Sequence, residues 1–404
     1  MAMIPEKATP LNIGIIGASG SVGSSVLGVI RSFPGLFRVH SLAGGSNAVS
    51  LGELCEEFSP SYATLWHREA RDSLEKSISH LSTKIFSGED PLLALAEDPE
   101  VDHLIFASSG TRAIPALRRA LELGKIVSLA NKESIVVGGP WIMPLVKDLS
   151  FLRPLDSEHN ALWQCLKGED PAWISKLVLT ASGGPFRKAS MEELRTVSGA
   201  EALRHPVWNM GKKITLDSAT LMNKGFEVLE ASQLFRIPLE KIEAWVHPGS
   251  RVHGIVHFID GCTKYLASSP DMRIPAAVAL SWPERIPFLR EHPSLRAEEL
   301  PGSLEFFEPR KDRFRCLSLA YEAGKRGGAY PALLVGADEV AVEAFLDGKI
   351  GFLDIPRILE EVLERYSGGA PSSLEEAIAL VERGREMASE AEKKVDPPNN
   401  TRCF

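Results

Sequence analysis

Apolar and polar positions along this chain change rhythm several times. Residues 11–16 are apolar but for Asn12 and Gly14, as in a strand buried on both faces of a parallel sheet. Gly17-Ala18-Ser19-Gly20-Ser21-Val22-Gly23 follows, and residues 24–33 then take up a helical period. The alternation recurs, with strands expected at 38–42, 62–66, 101–107 and 125–129 and helices at 49–58, 71–80 and 111–123. Strand and helix in turn predict a parallel sheet of βα units. The composition changes near Leu149, and further strands are expected at 177–179, 244–246 and 251–258. Residues 269–275 read as a loop, and 283–309, rich in proline and charge, as a linker. Amphipathic helices are expected at 317–324, 338–346, 355–366 and 374–388, ahead of an extended tail over 396–404.

Strand, glycine turn and helix in that order form the dinucleotide fingerprint in its G-x-x-G-x-x-G variant, although a βα turn without a ligand fits the same residues. The strand at 38–42 runs into Ala43-Gly44-Gly45-Ser46-Asn47, where an NAD enzyme places a carboxylate on the ribose hydroxyls. Small polar groups tolerate a 2′-phosphate instead, which favours NADP. The strand at 125–129 ends in Ala130-Asn131-Lys132-Glu133-Ser134, at the sheet edge where α/β folds bind ligands. Lys132 is either a surface lysine or one that holds a substrate hydroxyl.

The densest chemistry lies at 205–230. Asp217 or Ser218 is the expected N-cap of a helix on which Asn223 and Glu227, four apart, share a face. Lys224 lies beside that face and Ser218 near the helix start, a set that suits a phosphate. Glu227 could bind a metal from the same platform. His205, Trp208, Met210 and Gly211 fall in a segment without periodicity, as in a flap. Taken singly, each residue also fits a solvated amphipathic helix after a loop. Asp156 and Glu158 are two apart, and on extended backbone both carboxylates point one way and repel unless a cation lies between them. With Glu227 they offer three hard oxygens, which selects Mg²⁺ or Mn²⁺ over zinc. Asp-Ser-Glu alone also reads as an N-cap plus a surface acid, and His159 as either a support for that site or a core histidine. Ser182 beside Gly183-Gly184 makes an anion-accepting turn or an ordinary tight one.

Composition narrows the classes. Across 404 residues, 44% hydrophobic and 24% charged content is ordinary for a globular protein, and a net charge of −8 argues against nucleic acid as partner. The five cysteines are scattered with no C-x-x-C pair, as expected of reduced thiols. No apolar run approaches the roughly 20 residues of a spanning helix, so no membrane association is expected. About ten residues precede the first strand, and neither a secretory signal nor a plastid transit peptide is read there. The expected location is the cytosol.

The motifs together resemble 1-deoxy-D-xylulose 5-phosphate reductoisomerases over essentially the whole chain. The resemblance rests on G-A-S-G-S-V-G, L-A-N-K-E-S, L-D-S-E-H-N-A, A-S-G-G-P-F, H-P-x-W-x-M-G-x-K-I-x-x-D-S-A-T-x-M-N-K-G-x-E, H-P-x-S-x-V-H and P-D-M-R. It implies an α/β fold: an N-terminal Rossmann-like NADPH-binding domain (1–150), a central α/β catalytic and dimerisation domain with a flap (151–282), a linker (283–312) and a C-terminal helical bundle (313–404). It implies a cytosolic or plastid homodimer that converts 1-deoxy-D-xylulose 5-phosphate to 2-C-methyl-D-erythritol 4-phosphate with NADPH and Mg²⁺ or Mn²⁺, in the non-mevalonate route to isoprenoids. Asp156, Glu158 and Glu227 would hold the metal. Ser157, Ser182, His205, Ser218, Asn223 and Lys224 would hold the phosphorylated sugar, with Glu158 and Glu227 beside it and Lys132 on a hydroxyl. Ser19, Gly20, Ser21, Val22, Asn131, Glu133 and Gly211 would line the NADPH site. Trp208 and Met210 would close the flap, and His253 would support the active site. The family's usual A-G-K-N becomes A-G-G-S-N here, with an extra residue and no lysine, so Gly44, Gly45, Ser46 and Asn47 would have to meet the 2′-phosphate in its place. The usual A-A-N-E-V becomes G-A-D-E-V, a departure expected to lie remote from the chemistry. Two other classes stay open: an NADP-dependent dehydrogenase of another phosphorylated sugar or semialdehyde, and a non-enzymatic NADPH-binding regulator.

Overall fold

The computed structural model describes residues 9–86, 90–208, 210–295, 303–310 and 312–395. The tail expected to be extended, 396–404, lies outside them. The chain forms two compact units, one of Met1–Ser134, Ile142–Trp163 and Asp271–Glu298, the other of Ile135–Trp141, Gln164–Pro270 and Glu299–Phe404.

In chain order the first stretch runs β1 (Leu11–Ile16), α1 (Ser21–Ser32), β2 (Phe37–Gly44), α2 (Ala48–Phe58), β3 (Tyr62–Leu65), α3 (Arg68–Ser77), β4 (Lys84–Ile85), α4 (Pro91–Glu97), β5 (His103–Phe106), α5 (Ile114–Glu122), β6 (Ile126–Leu129), α6 (Lys132–Ile142), β7 (Leu152–Pro154) and α7 (Ser157–Leu166). The strands form one seven-stranded sheet in the order β4-β3-β2-β1-β5-β6-β7, parallel throughout. Ile13, Ile15, Leu104, Ile105 and Phe106 are 0% exposed, which is why these strands read as unbroken apolar runs. The strand order reverses between β1 and β5, so the glycine turn after β1 opens at the switch point of the sheet. The sheet continues past residue 150, because Leu152 pairs with Val127 and makes β7 its last strand. Pro154 is tolerated there because an edge strand needs no second ladder of N–H donors.

The next stretch holds β8 (Ile174–Ala181), α8 (Met191–Arg195), α9 (Gly199–Ala202), α10 (Lys212–Thr220), α11 (Met222–Phe235), β9 (Ile242–Val246), β10 (Val252–Phe258) and β11 (Thr263–Ala267). Its strands form a mixed sheet in the order β11-β10-β8-β9, with β9 parallel to β8 and β10 antiparallel to both neighbours. Helices α12 (Arg273–Ser281) and α13 (Phe288–Glu291) follow, then α14 (Arg315–Arg326), α15 (Tyr330–Leu346), α16 (Asp354–Arg365) and α17 (Leu374–Glu392).

The loop expected over 269–275 gives way to α12 at Arg273, and beyond that loop Ala276, Ala277, Ala279 and Leu280 of the helix join the core of the first unit, where small side chains at helical spacing let it sit close. Phe288, inside the expected linker, is buried with its ring 6.3 Å from that of Phe33. The four expected C-terminal helices are present as α14–α17. The second of them starts eight residues earlier than periodicity indicated, at Tyr330, because Pro331 suits a first helical turn.

Candidate active site

In the second unit the site is built on a break between two helices. Leu221 takes φ 62° and ψ 14°, ending α10 and opening α11. Asp217 and Ser218, read from sequence as the N-cap, lie inside α10 instead. Asp217 is held there by Lys213, one turn earlier, at 2.6 Å. The first turn of α11 is served by the Thr220 hydroxyl, which accepts from the Met222 N–H at 3.3 Å. No glycine or proline at 217–221 announces the break.

Along α11 the four-residue spacing does what the sequence indicated. Asn223 Nδ2 donates to Glu227 Oε1 at 2.5 Å, and the Lys224 ammonium donates to Oε2 of the same carboxylate. Glu227 is 1% and Lys224 4% exposed, so this is a buried ion pair rather than a solvated helix face. At the end of β8, Gly183 and Gly184 take φ 86° and 67°, and a Cβ on Gly184 would stand 2.7 Å from the Ser218 carbonyl oxygen. Glycine is required there, and it brings Ser182 up to α10.

His205 joins these pieces. Its Nδ1 accepts from the backbone N–H groups of Val207 (3.2 Å) and Trp208 (2.8 Å). The proton therefore sits on Nε2, which lies 3.1 Å from both Ser182 Oγ and Ser218 Oγ. Burial pushes His205 down to about 4, so the ring is neutral at neutral pH. The ring of Trp208 lies 6.5 Å from that of the buried His253, and Gly211 is the N-cap of α10, its carbonyl accepting from Thr215 Oγ1 at 2.9 Å. Met210, half-buried, precedes it.

In the first unit the corresponding groups follow β6 and β7. Asp156 caps α7: its Oδ1 accepts from the Glu158 N–H at 3.2 Å and from His159 Nδ1 at 2.9 Å, and its Oδ2 accepts from Lys132 Nζ at 2.6 Å. The extended backbone expected for Asp156 and Glu158 is thus a cap followed by a first helical turn. Asp-Ser-Glu supplies both a capping oxygen and a carboxylate at the positive end of the helix. Ser157 Oγ donates to Glu158 Oε2 at 2.7 Å, and His159, 0% exposed, backs Asp156. Lys132 is no surface lysine, with its side chain 11% exposed.

The glycine turn is tight: Gly17 takes φ 90°, and a Cβ there would meet the Ala107 carbonyl carbon at 2.5 Å. Ser19 and Gly20 complete it, Ser21 and Val22 open α1, and Gly20 caps that helix with no side-chain bond, leaving its first turn open to an anion. Gly44 ends β2, Gly45 and Ser46 are exposed, and Asn47 caps α2 by accepting from the Ser50 N–H at 3.0 Å. The Asn131 amide is committed to Ser108 and Gly110 carbonyls and to Ser134, and Glu133 accepts from the Gly110 N–H at 3.3 Å. Lys213 escaped the sequence reading, although its four-residue spacing to Asp217 was the available signal.

A parallel sheet with a glycine turn at its switch point, together with paired ammonium and carboxylate groups, defines an α/β enzyme of the dinucleotide-fold class. Family models described as 1-deoxy-D-xylulose 5-phosphate reductoisomerase match residues 13–139, and its C-terminal domains match 152–235 and 267–387. The reductoisomerase of Chloroherpeton thalassium is 42% identical over 369 residues, covering 91% of this chain and 95% of its own. That of Bacillus cereus is 42% identical over 370 residues, covering 91% and 96%. Among solved structures, the enzyme of Zymomonas mobilis in complex with NADPH is 37% identical with a TM-score of 0.86, covering 96% of this chain and 100% of its own. A reductoisomerase in complex with NADPH, fosmidomycin and magnesium is 35% identical with a TM-score of 0.88, at the same coverage. The chain belongs to the 1-deoxy-D-xylulose 5-phosphate reductoisomerase family.

Proposed function

We propose that Asp156, Glu158 and Glu227 hold one divalent cation, Mg²⁺ or Mn²⁺, at which this chain carries out the reaction of its family. That reaction is the NADPH-dependent isomerisation and reduction of 1-deoxy-D-xylulose 5-phosphate to 2-C-methyl-D-erythritol 4-phosphate, and the chain is an NADPH-dependent oxidoreductase. The observation that carries the residue assignment is that Asp156 and Glu227 are each held against an ammonium, as carboxylates shaped for positive charge would be. Three hard oxygens suit Mg²⁺ or Mn²⁺. The open first turn of α1 and the tight turn at Gly17 suit a pyrophosphate in the same way.

When bound, the cation supplies Lewis-acid polarisation of the hydroxyketone and NADPH supplies the hydride. The chain's own groups hold and orient. Ser182, Ser218, Asn223 and Lys224 take the substrate phosphate, and neutral His205 presents its Nε2–H to the serine hydroxyls without adding charge. Lys132 and Ser157 meet the hydroxyl end, and His159 fixes the orientation of Asp156. Trp208 and Met210 shield the substrate from water, with His253 behind Trp208. Ser19, Gly20, Ser21 and Val22 receive the pyrophosphate of NADPH, Gly44, Gly45, Ser46 and Asn47 the 2′-phosphate, and Asn131, Glu133 and Gly211 the remainder. With its side chain committed, Asn131 would act through its backbone.

No described helix is long and apolar enough to cross a membrane. A cytoplasmic homodimer is the expected state. Exposed Trp173, Ile259 and Tyr265 near edge strand β11 are consistent with a self-association face, and sedimentation at two concentrations tests it.

The deciding assay follows NADPH absorbance with 1-deoxy-D-xylulose 5-phosphate, with and without Mg²⁺ or Mn²⁺, and identifies the product by NMR. Metal-dependent oxidation with a branched product is expected. Oxidation with an unrearranged skeleton would point to a simple dehydrogenase, and NADPH binding without turnover to a regulator.

A further inference from the structure

Lys213 does more than pair with Asp217 on its own helix. Its Nζ also donates to Asp338 Oδ2 on α15 at 2.6 Å, the same distance as to Asp217 Oδ2. Asp338 is 0% and Asp217 4% exposed, so two buried carboxylates share one ammonium. The Phe226 ring of α11 lies 5.6 Å from that ammonium. The Cys316 thiol of α14 is pushed well up, by burial first and then by Asp338 and Asp217. The charges therefore sit where α10, α11, α14 and α15 meet. Burying charge in this way is weak evidence for stability but can fix one arrangement of elements over others.

The anchor itself is stiff. A Cβ on Gly336 would overlap the Val381 carbonyl, and one on Gly384 the Leu333 carbonyl, so α15 and α17 pack backbone to backbone two residues from Asp338. The held element carries chemistry, since Ser218 directly follows Asp217 on α10 and meets His205 Nε2.

We propose that Asp338 is a positioning residue, which through Lys213 fixes α10 against α15 and so sets where Ser218 meets His205 and the substrate phosphate. It stands at the third residue of G-A-D-E-V, where the family resemblance leads one to expect asparagine. The link to catalysis rests on the proposed placement of the phosphate at Ser218, whereas the clamp itself does not.

The test compares wild type, Asp338→Ala and Asp338→Asn as full chains with Mg²⁺ and NADPH, by amide hydrogen exchange and steady-state kinetics. Asp338→Ala should speed exchange of the α10 amides about tenfold and raise KM for the sugar phosphate about tenfold. KM for NADPH and exchange in α17 should stay within about twofold of wild type. Asp338→Asn keeps an acceptor for Lys213 and should show about a threefold change in α10 exchange, a result that stands even if the alanine variant fails to fold. Unchanged α10 exchange, or acceleration shared equally by α17, would reduce Asp338 to a general fold contact and overturn the proposal. Acceleration confined to α10 with an unchanged KM would uphold the clamp, remove its catalytic role and count against the phosphate placement.

Discussion

Each unit holds a lysine against a carboxylate, and the two pairs are built differently. Asp156 is partly accessible and supported on several sides, by Lys132, by His159 Nδ1 and by the N–H of Glu158. Glu227 is 1% exposed, and its oxygens take Asn223 Nδ2 and the ammonium of Lys224, itself 4% exposed. The first carboxylate is supported by a helix start and a histidine as well as by its lysine. The second lies where there is little water to turn to, so its amide and ammonium partners carry more of its stabilisation. On the proposed assignment, one pair exchanges partners more cheaply, and the other is a buried charge couple that a metal or a phosphate would enter by rearranging side chains.

The largest test of this contrast removes the buried carboxylate. Glu227→Ala should lower kcat by about three orders of magnitude, equivalent to about 4 kcal/mol, and saturating Mg²⁺ should not restore it. Undiminished turnover would take Glu227 out of the metal site. Lys224→Ala should act mainly on KM for the phosphorylated substrate. Stability separates the pairs next. Lys224→Met takes the ammonium from a buried carboxylate and should cost about 3 kcal/mol, whereas Lys132→Met, which leaves Asp156 its helix start and His159, should cost less, both read from urea denaturation. Equal losses would abolish the distinction.

The remaining test is a pH dependence, at His205, whose pKa is pushed by burial from the ordinary 6.5 to about 4. The unfolded chain then binds the proton more readily than the native one. Its contribution to stability is complete above about pH 6.5 and drains away as pH falls toward 4. The difference in urea midpoint between wild type and His205→Gln should be flat above pH 6.5 and shrink below it. A midpoint difference independent of pH would mean that His205 titrates normally.

Much of this was legible in the sequence because the signals are local. The βα alternation is written residue by residue, and Asn223 and Glu227 meet because four residues make about one helical turn. What was not legible depends on distance or on a single dihedral angle. Lys213 finds Asp338 across 125 residues of chain, β7 joins the sheet only because Leu152 reaches Val127, and Phe288 is buried only because Phe33 waits for it. The N-cap expected at Asp217 or Ser218 failed for the second reason, since nothing in the side chain of Leu221 marks a left-handed turn.

That left-handed residue makes length matter at this point in the chain. In an unbroken helix each residue advances about 100°, so Ser218 and Glu227, nine positions apart, would face opposite sides. The joint at Leu221 re-aims one set of side chains relative to the other. Among relatives, a substitution between Thr220 and Met222 alters one contact, whereas an insertion or deletion there rotates every functional group of α10 against every one of α11. Gaps in an alignment should accumulate elsewhere, and a homologue with an altered count at this joint has reason to have changed its chemistry.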